Sequence, residues 1–408
     1  MIAAARMLAM SASLAARSGP SPPQAWDLRI DASELADDSQ LWHSKQQALL
    51  RAYQARYVLL PQSGPTHGLL ERLRHHYDPQ QMSELEALRW PLEAELIVPR
   101  LESARAIAAG QDFEGYLQTL LPSLRNAPEN PFIHYLRGSP QRAAHYRNFL
   151  LQSSADLLAE ASASALGVIG EFGPAQSALF RILLDEFGHG IHERKHSVLY
   201  RTTMRDFGLC DSYNGYWPWF DTVTLELHNT IHFLFQNPRN IFLQVGFLLF
   251  AETAYQRSTA DHWRYLREFH PNSDARYFAE HAHIDLHHTR MVIEEVAAPL
   301  IAAHGKEVAA EFIAGAELTR RVFADAERQQ LAVCAAFDLA VAQGKAWTAL
   351  PNLLQMGAGL TPASAAQHGG TLPVQVGAIG MLADAQVFAN FPVGTYGRTQ
   401  PRDTAATQ

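Results

Sequence analysis

From Ser39 to about Lys345 the chain carries apolar residues at helical spacing, in segments parted by short turn clusters such as Pro61-Gln62-Ser63-Gly64-Pro65, Asn126-Ala127-Pro128, Gly138-Ser139-Pro140 and the stretch from Gly170 to Pro174. Alternating apolar and polar runs closed by hairpin turns, the mark of half-buried strands, are absent over this span. The fold class this leaves is all-α, and helices are expected over 142–166, 175–205, 222–236, 240–256 and 274–303. Between 41 and 112 the amphipathic segments with Leu49-Leu50, Leu69-Leu70-Leu73 and Leu85-Leu88 predict an N-terminal helical layer, set at 39–140, that packs or forms a homodimer surface. Residues 141–346 then form the main domain. The ends differ in character: 1–38 is expected to be flexible, and from Pro351 Gly, Pro, Ala, Gln and Thr dominate, so 347–408 is expected to be an irregular or partly disordered tail.

Composition excludes several classes. A formal charge of -8 supplies no basic field for nucleic acid. No run of eighteen apolar residues exists to span a membrane. The Ala/Ser-rich start, with Arg6 and Arg17, only weakly imitates a targeting segment and lacks a convincing cleavage site, which leaves a cytoplasmic location as the expectation. Cys210 and Cys334 are too few for a disulfide framework or a thiolate metal site, so any metal must be held by His and carboxylates. Nineteen histidines are present, and many fall between His189 and His288 among acidic residues.

The strongest local pattern is His281-x3-Asp285-x2-His288. Positions i, i+4 and i+7 of a helix lie within roughly 60° of one another, so the three side chains converge while His283 and His287 point elsewhere. A His/carboxylate/His face is a ligand set for Fe(II), Mn(II) or Zn(II). The bland alternative, a solvated helix face, weakens once the acids are added. Glu160 stands in an apolar stretch, Asp156-Leu-Leu-Ala-Glu-Ala, and Glu252 follows Phe247-Leu-Leu-Phe-Ala. An acid in either place is costly unless it is paired or bound to a metal. Glu186 and His189 have the Glu-x-x-His spacing that bundle diiron proteins repeat. His196 lies about 80° off the face of Glu186 in an ideal helix, but Gly188 and Gly190 permit local unwinding, so spacing leaves His189 and His196 both open. Glu193-Arg194-Lys195 is expected to be a salt-bridged stretch of the same helix. Asp185, Tyr277 and Arg290 are candidate supports behind the ligands. Bridging carboxylates with terminal histidines suit two irons and leave positions open for O2.

With these residues the segment from about Arg142 to Ala303 resembles the haem-oxygenase-like diiron oxidases and oxygenases, often labelled iron-containing redox enzymes. Asp185-Glu-Phe-Gly-His-Gly followed by His196-Ser-Val-Leu-Tyr is similar to that family's Glu-Tyr-Gly-x-Gly and His-x-x-Leu-Phe segments, with Phe187 where tyrosine is common. Tyr277-Phe-x-x-His281-x3-Asp285-x2-His288 is similar to its last metal-binding helix. The resemblance implies Glu160, Glu186 as bridge, His281, Asp285 and His288 as ligands of two irons, and Glu252 as the carboxylate some members add. It places His196 where N-oxygenating members contribute a further histidine, which favours it over His189 and makes Glu186 and His196 the catalytic candidates. The cupin domain of one N-nitroso-forming member is not visible in this tail.

The function implied is O2-dependent oxidation of a small amine or amino-acid-derived substrate in specialised biosynthesis, by N-oxygenation, with an external electron donor. The same family covers C–C cleavage, decarboxylation and desaturation. Two other classes compete: a haem-handling protein, which leaves the acids unexplained, and a metal-free helical interaction protein, for which every His and Glu above is surface.

Overall fold

Helix starts along this chain are built locally. Asp78 accepts from the backbone N–H groups of Gln80 and Gln81 ahead of Pro79, Asp112 from Gly115, Asn130 from Phe132 and Ile133 ahead of Pro131, and Asp221 from Thr224. Each satisfies N–H groups that a first helical turn leaves without partners, and proline is tolerated there because its missing N–H is not needed. The structure, a computed structural model, describes residues 38–60 and 68–342. The helices are α1 Asp38–Gln54, α2 Leu69–His76, α3 Pro79–Leu96, α4 Val98–Ala108, α5 Phe113–Arg125, α6 Pro131–Gly138, α7 Arg142–Leu157, α8 Ser162–Gly167, α9 Pro174–Glu186, α10 His196–Asp206, α11 Thr222–Gln236, α12 Ile241–Phe269, α13 Arg276–Met291, α14 Ala298–His304 and α15 Lys306–Ala342. No strand occurs among the described residues, so the fold is all-α as expected. The flexible start, the Pro61 to Pro65 turn and the 347–408 tail lie outside the described residues.

Several expected boundaries are corrected. The helix expected over 142–166 breaks after Leu157, and Glu160 sits in the break, beside Ala161 at φ 64°. The helix expected over 175–205 stops at Glu186, and two short 3-10 turns, Gly188–Gly190 and His192–Arg194, intervene before α10. Glu193, Arg194 and Lys195 therefore do not share a helix with Glu186. In the other direction, α12 runs on to Phe269, because nothing after Gln256 interrupts its winding. The last candidate helix holds, but passes through a π-wound segment, Val292–Ala297, between α13 and α14.

α12 is the hub, packed along α15 on one side and α13 on the other, while α1 lies on α11, α4 on α15, and α9 on the π segment. The α12–α15 contact is backbone on backbone. A Cβ placed on Gly246 would overlap the Phe312 carbonyl oxygen, and one on Gly315 the Leu243 carbonyl oxygen. Two apolar clusters result. One gathers Phe247, Leu249, Val292, Phe312 and Ile313; the other gathers Phe132, Tyr146, Tyr200, Tyr265 and Phe278. Both α12 and α13 cross from one cluster to the other, and their middle turns, between the clusters, are polar. No described helix is long and apolar enough to cross a membrane.

Alanine is the better helix former, so at an open position it would stabilise α12 or α15 by about 1 kcal/mol. At Gly246 or Gly315 the overlap reverses the sign. Gly246→Ala and Gly315→Ala are each expected to destabilise by about 1–3 kcal/mol, read as a lower urea midpoint at unchanged slope; a raised midpoint would contradict the close approach.

Candidate metal centre

The polar middle of α13 presents His281, Asp285 and His288 on one face, and Asp285 and His288 are 0% exposed. Glu252 comes from the adjoining turn of α12 and is largely buried. The remaining donors come from chain breaks. Glu160 occupies the turn between α7 and α8, Glu186 ends α9, and His196 opens α10. The connector from Glu186 to His196 doubles back on itself. Gly188, at φ 60°, lies so close to the Arg194–Lys195 backbone that a Cβ there would stand 2.5 Å from the Arg194 carbonyl carbon. Only glycine permits that crossing, and the crossing returns His196 to within 2.6 Å of Glu186, Nδ1 to Oε2.

The donor atoms form two groups that share one residue. Glu160, Glu186, His196 and His281 make the first, and Glu186, Asp285 and His288 the second, with the atoms of each group within 4.8 Å of one another. In the first, His281 Nε2 is 3.3 Å from Glu160 Oε1, 3.9 Å from Glu186 Oε2 and 3.2 Å from His196 Nδ1. In the second, His288 Nδ1 is 3.2 Å from Glu252 Oε2, 3.7 Å from Glu186 Oε1 and 3.8 Å from Asp285 Oδ1. Ligands about 2.1 Å from a common ion stand roughly 3 Å apart, which is the scale of these separations. The outward nitrogens are occupied. His281 Nδ1 lies 3.0 Å from the Tyr277 carbonyl, and His288 Nε2 lies 3.1 Å from Asp185 Oδ2. Each outward nitrogen is held by an acceptor, so the inward nitrogen is the one turned toward a metal once its proton has left. Tyr277 Oη donates to Glu160 Oε1 at 2.7 Å.

Whether these residues fit a metal ion is decided by what they lack without one. Both oxygens of Asp285, Oε2 of Glu160 and Oε2 of Glu186 are buried with no hydrogen-bond partner. Glu186 Oε2 and His196 Nδ1 stand 2.6 Å apart without hydrogen-bond geometry. Buried carboxylates left this way are expensive, and a cation answers all of them. Electrostatics agree. Burial pushes the Asp285 carboxyl well above its usual range. His288 is held up at about 10: burial opposes its charge, but Glu252, Glu186 and Asp285 outweigh burial. His281 is likewise raised well above its ordinary value against burial, chiefly by Glu160 and Asp285. Glu186, despite burial, is drawn down to about 2 by His196, His281 and His288. An oxygen and nitrogen donor set without thiolates suits iron or manganese.

The structure thus brings Glu160, Glu186, His196, Glu252, His281, Asp285 and His288 together and leaves His189 out. His189 is largely exposed, adopts φ 53°, and pairs with Asp185 at 3.0 Å. Of the candidate supports, Asp185 and Tyr277 reach the site, whereas Arg290 is exposed and contacts His287. Sequence reasoning passed over Tyr255. It lies three residues after Glu252 on α12, a spacing that shares a helix face and could have flagged it, and its phenol is raised well above the ordinary range by burial and by Asp156, Glu160, Asp285 and Glu252.

Protons on His281, His288 and Asp285 occupy the lone pairs a metal needs. Loading is therefore expected to release protons and to tighten with rising pH, by about tenfold per unit for each proton displaced. Calorimetric Fe(II) titrations in buffers of different ionisation enthalpy check this, and heats that do not depend on the buffer would contradict it.

Comparison with known proteins covers the same region of the chain. Residues 147–324, which contain all seven donors, match the family described as iron-containing redox enzyme. The nitrosourea synthase of Streptomyces achromogenes subsp. streptozoticus is 35% identical over 278 residues, 67% of this chain and 58% of that protein. The chain therefore spans less than two thirds of that relative's length. With the family's region laid over the buried Glu/His cluster and the all-helical, haem-oxygenase-like fold around it, the chain belongs to the iron-containing redox enzymes.

Proposed function

We propose that the chain is a non-haem diiron oxygenase that uses O2 to oxidise a small amine or amino-acid-derived substrate, by oxygenation at nitrogen. The observation that carries this reading is Glu186, one carboxylate common to two donor groups, with an oxygen toward each. Glu160, His196 and His281 would hold one iron, Asp285, His288 and Glu252 the other, and Glu186 both. When bound, the irons supply the redox chemistry that no side chain here can perform. The chain's own work is positional. Asp185 and the Tyr277 carbonyl fix the two imidazoles, Tyr277 Oη steadies Glu160, and the apolar clusters on either side keep bulk water from the centre.

Nitrogen as the oxidised atom is supported by His196, which adds a third imidazole to the donor set, and by the similarity to a protein named for making nitrosoureas. The conversion of an amine to a hydroxylamine takes one oxygen atom from O2. The other leaves as water, with two electrons and two protons from an external donor. Haem handling is disfavoured by four carboxylates around the candidate histidines.

The test is iron content, O2 uptake and product mass after incubation with Fe(II), a reductant, 18O2 and candidate amines. The expected result is about two irons per chain and a product carrying one labelled oxygen on nitrogen. Loss of carbon or of two hydrogens would move the reading to cleavage or desaturation, and absence of bound iron would end it. Glu186→Gln is expected to deplete both irons together and cut turnover at least about 100-fold, whereas Asp285→Asn should weaken one iron more than the other.

A further inference from the structure

The connector between α9 and α10 holds one side chain that its backbone makes costly. Gly188, His189 and Gly190 follow one another in the left-handed region, at φ 60°, 53° and 79°. Glycine enters that region freely, whereas a residue with a Cβ is strained there. The turn is closed by backbone alone: Gly190 N–H donates to the Phe187 carbonyl at 3.1 Å and Ile191 N–H to that of Gly188 at 3.0 Å. A third glycine would serve this backbone as well. Strain of this kind persists at positions where the side chain is needed. The His189 side chain is 68% exposed, and among the described residues its polar contact is Asp185, Nε2 to Oδ1 at 3.0 Å. The other oxygen of Asp185, Oδ2, lies 3.1 Å from Nε2 of His288, which is 0% exposed. Asp185, on the last turn of α9, therefore stands between a surface imidazole and a donor imidazole, with one on each oxygen.

We propose that His189 is a positioning residue for the second donor group: by holding Asp185 from the surface, it fixes the direction of His288 toward the metal. The proposal rests on the metal reading of the two donor groups and not on the reaction they would serve. Torsion about the Cβ–Cγ bond of an aspartate is soft, so a carboxylate engaged on one oxygen would let the imidazole it supports turn with it. Engagement of both oxygens removes that freedom. The partners behind a ligand histidine set its ring orientation and, with it, the affinity for metal. An ion pair at an exposed imidazole adds little to folding, so what the strained histidine contributes is direction at a buried site. One connector then serves both groups. Its far end delivers His196 to the first, and its near end steadies His288 of the second. Retention of the second ion is thereby set in part by a side chain that solvent reaches.

The test is anaerobic Fe(II) titration by calorimetry, with the step that Asp285→Asn weakens taken as the second group. His189→Gly removes the imidazole and the strain together. It is expected to weaken that step about tenfold and to leave the other within about twofold. The metal-free variant should melt within about 2 °C of wild type, because relief of strain and added freedom of the unfolded chain oppose each other. His189→Gln carries an amide N–H to a similar reach and should restore affinity to within about threefold of wild type. In an Asp185→Ala protein, or Asp185→Asn where the alanine variant does not fold, adding His189→Gly is expected to change nothing further, since its effect passes through that carboxylate. Equal weakening of both steps by His189→Gly overturns the support, and so does a full further loss in the Asp185 background. Two irons bound by wild type with His189→Gly unchanged would remove the support and keep the metal reading. No iron bound by wild type would end both.

Discussion

Glu186 holds two groups of donors at one point, and the helices around it are arranged to make that possible. Its carboxylate lies between imidazoles on both sides. Around it stand Glu160, Glu252 and Asp285 in the polar middle of a bundle that elsewhere buries leucine and phenylalanine. Several kcal/mol of desolvation attend each such ion when nothing answers it. The two apolar clusters that flank the polar turns supply the burial that keeps the chain folded around this liability. The glycine contact between α12 and α15 is part of the same arrangement, since it lets α12 lie against α15 on one side and α13 on the other. A cation at the centre would convert the most costly part of the interior into a crosslink among α9, α10, α12, α13 and the α7–α8 turn.

The regular half of this centre was legible in the sequence. His281, Asp285 and His288 obey the helical period, and Glu252 stands out as a single acid after an apolar run, so spacing and cost alone single out four side chains that the structure brings together. The irregular half was not. Nothing marks Ala161 for the left-handed region, which residues other than glycine, asparagine and aspartate rarely enter, so the break that frees Glu160 from α7 had no sequence signal. Gly188 and Gly190 did signal unwinding, yet a helix was carried through to residue 205. What the glycine serves is a crossing with Arg194 and Lys195, a tertiary contact. For the same reason an ideal helix could not choose between His189 and His196, since the angle between Glu186 and His196 is set by a connector.

The supports behind the ligands show how little of the centre is left free to adjust. Two of the inward imidazoles are fixed from behind by an acceptor, one a backbone carbonyl and one a carboxylate, and Glu160 is held by a phenol. Asp185 in turn touches the surface residue His189. The donors thus keep their directions before any ion arrives, the condition under which ligand geometry, more than ligand identity, selects among divalent metals.

The π-wound segment that follows α13 has a consequence of another kind. Upstream of Val292–Ala297 the helix is phased to aim three donors inward; downstream it belongs to the apolar body, and α9, which ends in Glu186, is seated on the segment itself. A regular α-helix would lock these two duties together, because each residue adds a fixed turn of about 100°. A π segment holds an extra residue per turn and slips that phase. One continuous rod can therefore carry two independent angular settings, and the length of this six-residue stretch is a vernier between them. Removing or adding a residue there would turn the donor face against the seat of Glu186 without altering a single ligand.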